Sequence, residues 1–260
     1  MARDGREEGE GWTQLYGGSV NAVFRKGEVV RRRMSPASPA VHQVLRWLER
    51  HNFRGVPRLI RTTETSEFLT YIPGKPVLRP WSEEVKRESW MAELGHWLRG
   101  YHEVVKGFRL EGRAAFLWGT AEPEADMIVC HGDLGPWNFI QEGGNLKGVI
   151  DWDLARYGYS LDNMAELALE AVPLRPIVEE AMGIGTPKET LERRLFVLCE
   201  AYGIEPREVL EHVPTYLGNI IRETEKQSAR EVEPFASFVK GGVVRELEDD
   251  KAHVESAWLT

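Results

Sequence analysis

Cysteine is scarce in this chain: two among 260 residues, Cys130 and Cys199, far apart and each in an apolar context. That scarcity speaks against a disulfide framework and a cysteine-based metal cluster, and buried free thiols are the expectation. Zinc chemistry has no ligand set here. Long apolar runs are missing as well, so no segment reads as a membrane span, and the start, MARDGREEGEG, is charged where a signal peptide is apolar. The expected location is the cytoplasm, with no membrane partner. Basic charge is also short, 33 Lys and Arg against 41 Asp and Glu, for a net charge of -8. This speaks against nucleic acid as a partner, because that binding rests on basic patches that release counterions. The negative balance is compatible with a cationic small molecule, and equally with plain solubility. Internal repeats and low-complexity linkers are missing too.

Against these absences stands one dense motif. Cys130-His131-Gly132-Asp133-Leu134-Gly135-Pro136-Trp137-Asn138 is followed, after one reversal, by Val149-Ile150-Asp151-Trp152-Asp153. Apolar runs flank the polar residues: Met127-Ile128-Val129 before, Phe139-Ile140 after, and Gly148-Val149-Ile150 beyond. Gly143-Gly144-Asn145 supplies the turn between the last two. Short buried strands would then hold Asp133, Asn138 and Asp151 at one end of a small sheet. Taken singly these residues are ordinary, since His-Gly-Asp is usually a turn and an Asn after Pro-Trp is often a cap. Together they supply what phosphoryl transfer from a nucleotide needs: a carboxylate near the attacking hydroxyl, oxygen ligands for Mg²⁺, and a frame to align them. Asp133 and Asn138 have the spacing of a kinase catalytic loop, H-x-D-x-x-x-x-N.

From His131 to Ala168 the chain resembles the aminoglycoside phosphotransferase family, small-molecule relatives of the protein kinases. The residues that carry the likeness are HGDLGPWNFI and VIDWDLARYGYSLDNMAELA, set against a family pattern of H-G-D-x-x-x-x-N followed by I-D-[WFY]-[DE]. The resemblance implies an α+β, protein-kinase-like bilobal fold, with a small five-stranded antiparallel N-terminal lobe carrying one helix and a larger, mainly helical C-terminal lobe. It implies ATP or GTP as donor, Mg²⁺, and a hydroxylated small molecule as acceptor. Members also phosphorylate choline, sugars and homoserine, so an aminoglycoside is one candidate among several. Asp133 would be catalytic, accepting a hydrogen bond from the acceptor hydroxyl; Asn138 and Asp151 would hold the metal. His131 would brace the loop, and Asp153 would either assist at the metal or cap the following turn. The chain would divide into a disordered arm (1–11), a nucleotide-binding lobe (12–73) and a catalytic and acceptor-binding lobe (74–260), as a monomer or homodimer.

The N-terminal third reads as a hairpin plus a third strand, Leu15 to Arg25 and then Glu28 to Arg31. In the family such a hairpin closes over the nucleotide phosphates, which here would bring in Gly17, Gly18 and Ser19; an ordinary hairpin turn would look the same. Kinases hold the phosphates with a Lys on the third strand. This chain offers Arg31 in that place, or Arg32 if the register shifts by one. The helix from Ser38 to His51, with Val41, Val44, Leu45 and Leu48 at helical spacing, lacks the Glu that pairs with such a Lys. His42 and Gln43 occupy its zone. Either another acidic residue partners the Arg, or other contacts hold it; a self-consistent alternative is that the nucleotide site has decayed, which gives as alternative function a nucleotide-binding pseudokinase or regulatory module. A metal-dependent hydrolase built on Asp-x-Asp is disfavoured, because no further ligand cluster accompanies it. Glu67 to Ile72 is the last strand of the sheet, with Tyr71 and Ile72 as hinge residues whose backbone would read the base.

Downstream, Ser82 to about Lys106 is expected as one long helix with Trp90, Leu94, Trp97, Leu98, Tyr101 and Val105 on a core stripe. His102 near its end is expected to bond the catalytic-loop backbone. Helices are also expected from Leu161 to Ala171, from a Thr186–Glu189 capping box to Tyr202, and as two pieces opened by Pro206 and Pro214. The acidic run Glu246 to Asp250 reads as a solvated end.

Overall fold

The computed structural model describes residues 11–15 and 22–259. In chain order its elements are β1 (Thr13–Leu15), β2 (Val23–Lys26), β3 (Val29–Arg33), α1 (Ser38–Arg50), β4 (Leu59–Thr62), β5 (Ser66–Thr70) and β6 (Lys75–Pro76). There follow α2 (Glu83–Lys86), α3 (Glu88–Val105), β7 (Ile128–Cys130), β8 (Phe139–Glu142), β9 (Asn145–Val149) and β10 (Arg156–Gly158). The chain closes with α4 (Ser160–Ala171), α5 (Val178–Met182), α6 (Lys188–Tyr202), α7 (Pro206–Ser228), α8 (Phe235–Lys240) and α9 (Val243–Ala257). The architecture is bilobal, with the five-stranded antiparallel sheet and α1 in the small lobe and a mainly helical large lobe, the arrangement of a kinase-like fold.

The small-lobe sheet has the order β1-β2-β3-β5-β4. Alternation along a strand gives it two unlike faces. Arg32 stands directly opposite Glu67, and Val30 opposite Leu69, so these four share a face. Arg31, opposite Phe24 and Phe68, is on the other. α1 buries Val41, Val44, Leu45 and Leu48, the four positions whose spacing marks it as a helix.

In the large lobe, β7 pairs with β10, and β8 lies between β6 and β9. The helix expected over residues 82–106 is interrupted at Arg87, whose backbone is extended. Residues five apart lie on different sides of a helix, so the break lets Val85 and Trp90 both enter the core. At Pro214 the reverse holds: α7 runs through it unbroken. A mid-helix proline costs about 3 kcal/mol, which the buried stripe of Val209, Val213, Tyr216 and Leu217 offsets. No side-chain capping bond forms at the start of α6, where Thr186 instead donates to the Gly183 carbonyl. Of the acidic run near the C-terminus, Asp250 turns inward and pairs with Arg175. Both thiols are buried and free. Among the described residues no helix is long and apolar enough to cross a membrane.

Candidate active site

The segment from His131 to Asn138 leaves buried strand β7 and reverses before β8. Gly132 makes this possible: its φ is +81, and a Cβ there would lie 2.0 Å from the Leu154 carbonyl oxygen. No side chain fits that gap. The His131 ring lies against Trp152 and is buried, which pushes its pKa down to about 4 and keeps the imidazole neutral. Its Nδ1 accepts the Asp133 amide at 3.2 Å, and its Nε2 donates to the Ile150 carbonyl at 3.1 Å. One ring thus ties the loop to the strand end that carries Asp151. His102 supports it at one remove: its Nε2 meets the Asn163 amide nitrogen, and the Asn163 oxygen accepts the His131 backbone N–H. The contact expected directly between His102 and the loop backbone thus runs through Asn163.

Asn138 donates from Nδ2 to the Asp133 backbone oxygen at 2.9 Å and to its Oδ2 at 2.8 Å. The same Oδ2 accepts the Trp137 indole N–H at 3.3 Å. Gly135 seats that indole, since a Cβ there would fall about 2.1 Å from the ring. Burial drives the Asp133 carboxyl up to about 7; the Trp137 and Asn138 bonds pull against this, and the charge of Asp151 adds to it.

Asp151 follows β9 with φ +65, a left-handed conformation that Asp tolerates better than most residues. Trp152 is buried and donates to the Val149 carbonyl, leaving Asp151 and Asp153 on either side of it to face outward. Both carboxylates meet Arg32. Its Nη1 lies 3.0 Å from Asp151 and its Nη2 2.6 Å from Asp153, while its Nε donates to Glu67 at 2.6 Å. Burial works against the guanidinium charge, but three carboxylates outweigh it and hold the pKa above its ordinary value. Asp153 thus contacts Arg32.

Arg31, one step away on β3, lies over the rings of Trp12 and Phe24 at 5.1 and 5.0 Å. Strand alternation decides between the two arginines, and it is Arg32 that faces the aspartates. Glu67 is 1 % exposed and also accepts from Nε2 of His42 on α1. Burial alone would raise the Glu67 carboxyl; the His42 bond and the Arg32 charge hold it below the usual range. No pattern along the helix points to Glu67 as the partner; the signal that finds it is cross-strand register, which sets it opposite Arg32. At the hinge, the Tyr71 amide is committed to the Glu28 carbonyl at 2.8 Å, and Arg25 stacks 3.5 Å over its ring. The Tyr71 N–H is therefore not available to a base, while Ile72 lies close to Gly148. Gly17, Gly18 and Ser19 lie outside the described residues.

A small cavity of about 70 Å³ opens beside Asp133, lined by Glu166, Glu170 and Arg175 with Tyr216 and Leu217 of α7. Burial pushes Glu166 up to about 8 despite Arg156, and raises Glu170 despite Arg175. Neither was singled out from sequence, although two glutamates one turn apart in the apolar helix MAELALEA are a visible signal. A larger cavity, about 580 Å³, lies by Arg99, His102, Lys106 and Tyr202 and contains none of the expected site residues. Asn138, Asp151 and Asp153 offer hard oxygen donors, and Asn138 spends its nitrogen on Asp133, leaving its oxygen for a ligand. Among the described residues no cluster of three or more His, Cys, Asp or Glu is placed to hold a metal by itself.

Residues 113–161 match the model of a phosphotransferase enzyme family, and that stretch contains the whole of this loop. The family match is confined to that stretch, and across the rest of the chain the likeness to solved structures is one of fold. A curated relative, a trifolitoxin immunity protein of Rhizobium leguminosarum bv. trifolii, is 33% identical over 147 residues, 54% of this chain and 54% of the relative. The match thus spans about half the length of that protein. An amicoumacin kinase in complex with AMP-PNP, Ca²⁺ and Ami shares the fold with a TM-score of 0.67 at 12% identity, over 94% of this chain and 89% of the other. A choline/ethanolamine kinase family protein from Mesorhizobium loti does so with a TM-score of 0.55 at 18% identity, over 96% and 94%. These two likenesses are of fold. The phosphotransferase-type loop is the part of the chain that carries the family motif.

Proposed function

We propose that this chain is a Mg²⁺-dependent phosphotransferase that moves the γ-phosphoryl group of ATP or GTP to a hydroxyl of a small molecule. The observation that carries this reading is the convergence of Arg32, from the small-lobe sheet, on Asp151 and Asp153 of the loop that His131 ties to Asp133 and Asn138. Bound Mg²⁺ would neutralise phosphate charge, held by Asp151 and the Asn138 oxygen. Arg32 would exchange the aspartates for phosphate oxygens, to which its planar fork is suited. Asp133, fixed through Oδ2, would present Oδ1 to the acceptor hydroxyl, align it for in-line attack and take its proton late. Positioning is the larger part of that role, since a carboxylate is a weak base for an alcohol. A cationic acceptor suits the cavity beside Asp133, where Glu166 and Glu170 supply two further carboxyl groups.

A second reading, a nucleotide-binding module without catalysis, is favoured by one observation: Arg32 already occupies both aspartates. One experiment separates the two. Purified protein is assayed for Mg²⁺-dependent consumption of ATP and GTP with amicoumacin, aminoglycosides, choline and trifolitoxin as acceptors, alongside Asp133→Asn. Acceptor-stimulated turnover that the variant loses supports the enzyme. Nucleotide binding with neither acceptor turnover nor slow ATPase activity supports the module.

A further inference from the structure

The three nitrogens of the Arg32 guanidinium face unlike surroundings. On the Nε side, Glu67 is buried and has both oxygens engaged, Oε1 by Arg32 and Oε2 by His42. On the Nη side, Asp151 and Asp153 are 47% and 24% exposed and come from residues more than a hundred positions away in the chain. The Glu67 contact lies within one sheet, between residues directly opposite each other on β3 and β5, whereas the aspartate contacts span the two lobes. One side of the fork is therefore built in and the other is exchangeable.

We infer that Glu67 and His42 are the positioning pair of the nucleotide site: Glu67 holds Arg32 by Nε, so that Nη1 and Nη2 stay aimed at the phosphates, and His42 holds Glu67. The inference rests on the proposed phosphotransferase reading and deepens it. A lysine has one nitrogen, which must serve its carboxylate partner and the phosphates together. An arginine divides the work, with Nε for the partner and the paired terminal N–H groups for two phosphate oxygens. The carboxylate can then sit in the sheet beside the arginine, and the helix need supply only a donor, His42, to its far oxygen. A buried ion pair is a poor stabiliser compared with apolar residues of the same volume, so its contribution here is fixed geometry. Coupling between α1 and the site runs through a side chain two steps removed from the phosphates.

The test is calorimetric titration with Mg·ATP and Mg·GTP, together with the KM for nucleotide and for acceptor, on the full chain and its Glu67→Ala, Glu67→Gln, His42→Ala and Arg32→Lys variants. Glu67→Ala and His42→Ala should weaken nucleotide binding about 10- to 100-fold, by analogy with the loss that follows removal of the hydrogen-bond partner behind a metal ligand. The acceptor KM should stay unchanged. Glu67→Gln should recover most of the affinity, because its amide oxygen still accepts from Nε; Arg32→Lys should not recover it. A purely structural role would lower the Tm and leave nucleotide affinity at the parent value, and that result in folded Glu67→Ala overturns the inference. If Glu67→Ala does not fold, His42→Ala carries the test, since it leaves the Arg32 to Glu67 contact in place; unchanged affinity there overturns the inference equally. A parent protein that binds neither nucleotide overturns the phosphotransferase reading itself, and this inference with it.

Discussion

Asp133 sits among groups that pull its proton in opposite directions. Burial and the neighbouring charge of Asp151 favour the neutral acid, while Trp137 and Asn138 donate to the ionised form. An acceptor hydroxyl needs the ionised form. In the free protein that form takes over only above about 7, so kcat/KM should fall about tenfold per pH unit below that point and level off above it. A flat profile from pH 5 to 8 would contradict the role. Asp133→Asn keeps an oxygen for Trp137 and Asn138 but cannot take a proton. Its kcat should drop by about 10² to 10⁴ while Mg·nucleotide affinity, read by calorimetry, stays near the parent value. Asp133, Asn138 and Asp151 were legible in the sequence because their spacing is local to one loop and one strand end. The choice between Arg31 and Arg32 was not, since a shift of one residue turns a side chain to the other face and nothing local to Val-Val-Arg-Arg-Arg sets the register.

At the scale of elements, α4 carries a cost that the fold tolerates. Glu166 lies within an apolar helix, is 7% exposed, and titrates near 8 in the folded state against an ordinary carboxylate value when unfolded. The sign follows from linkage: the folded state holds a proton that the unfolded chain releases, so stability is fullest at low pH and is lost as pH rises toward 8. Glu166→Gln removes that dependence. Its Tm should match the parent near pH 5 and exceed it by roughly 5 °C at pH 8, with no further gap above. Thermal melts across pH decide this, and a constant offset would show that the carboxyl is not the cause. The helices themselves were largely legible, because apolar spacing on α1 and α3 needs no knowledge of neighbours. The break at Arg87 and the passage of α7 through Pro214 were not, since each depends on which side chains the rest of the core accepts.

For the whole molecule, Arg32 of the small-lobe sheet meets two acidic side chains of the large lobe, Asp151 and Asp153. Nucleotide that binds there stabilises the folded chain by mass action, about 2.7 kcal/mol at a hundredfold excess over Kd, or a Tm rise of roughly 5 °C. The rise should require Mg²⁺ and vanish in Asp151→Ala; a Tm gain in that variant equal to the parent's would remove Asp151 from the metal site. Omitting Mg²⁺ from the parent should have the same effect as the substitution.

The sequence by itself determined the family motif and the loop that brings Asp133 and Asn138 together, because both depend on contacts within a few residues; the bilobal plan was reached only as what the resemblance implies. Only the tertiary structure decided which arginine meets Asp151, that Glu67 and His42 stand behind it, and that Glu166 and Glu170 lie beside Asp133. Those contacts join strands and helices distant in the chain, and their geometry is set by sheet register and by packing, which no local pattern encodes.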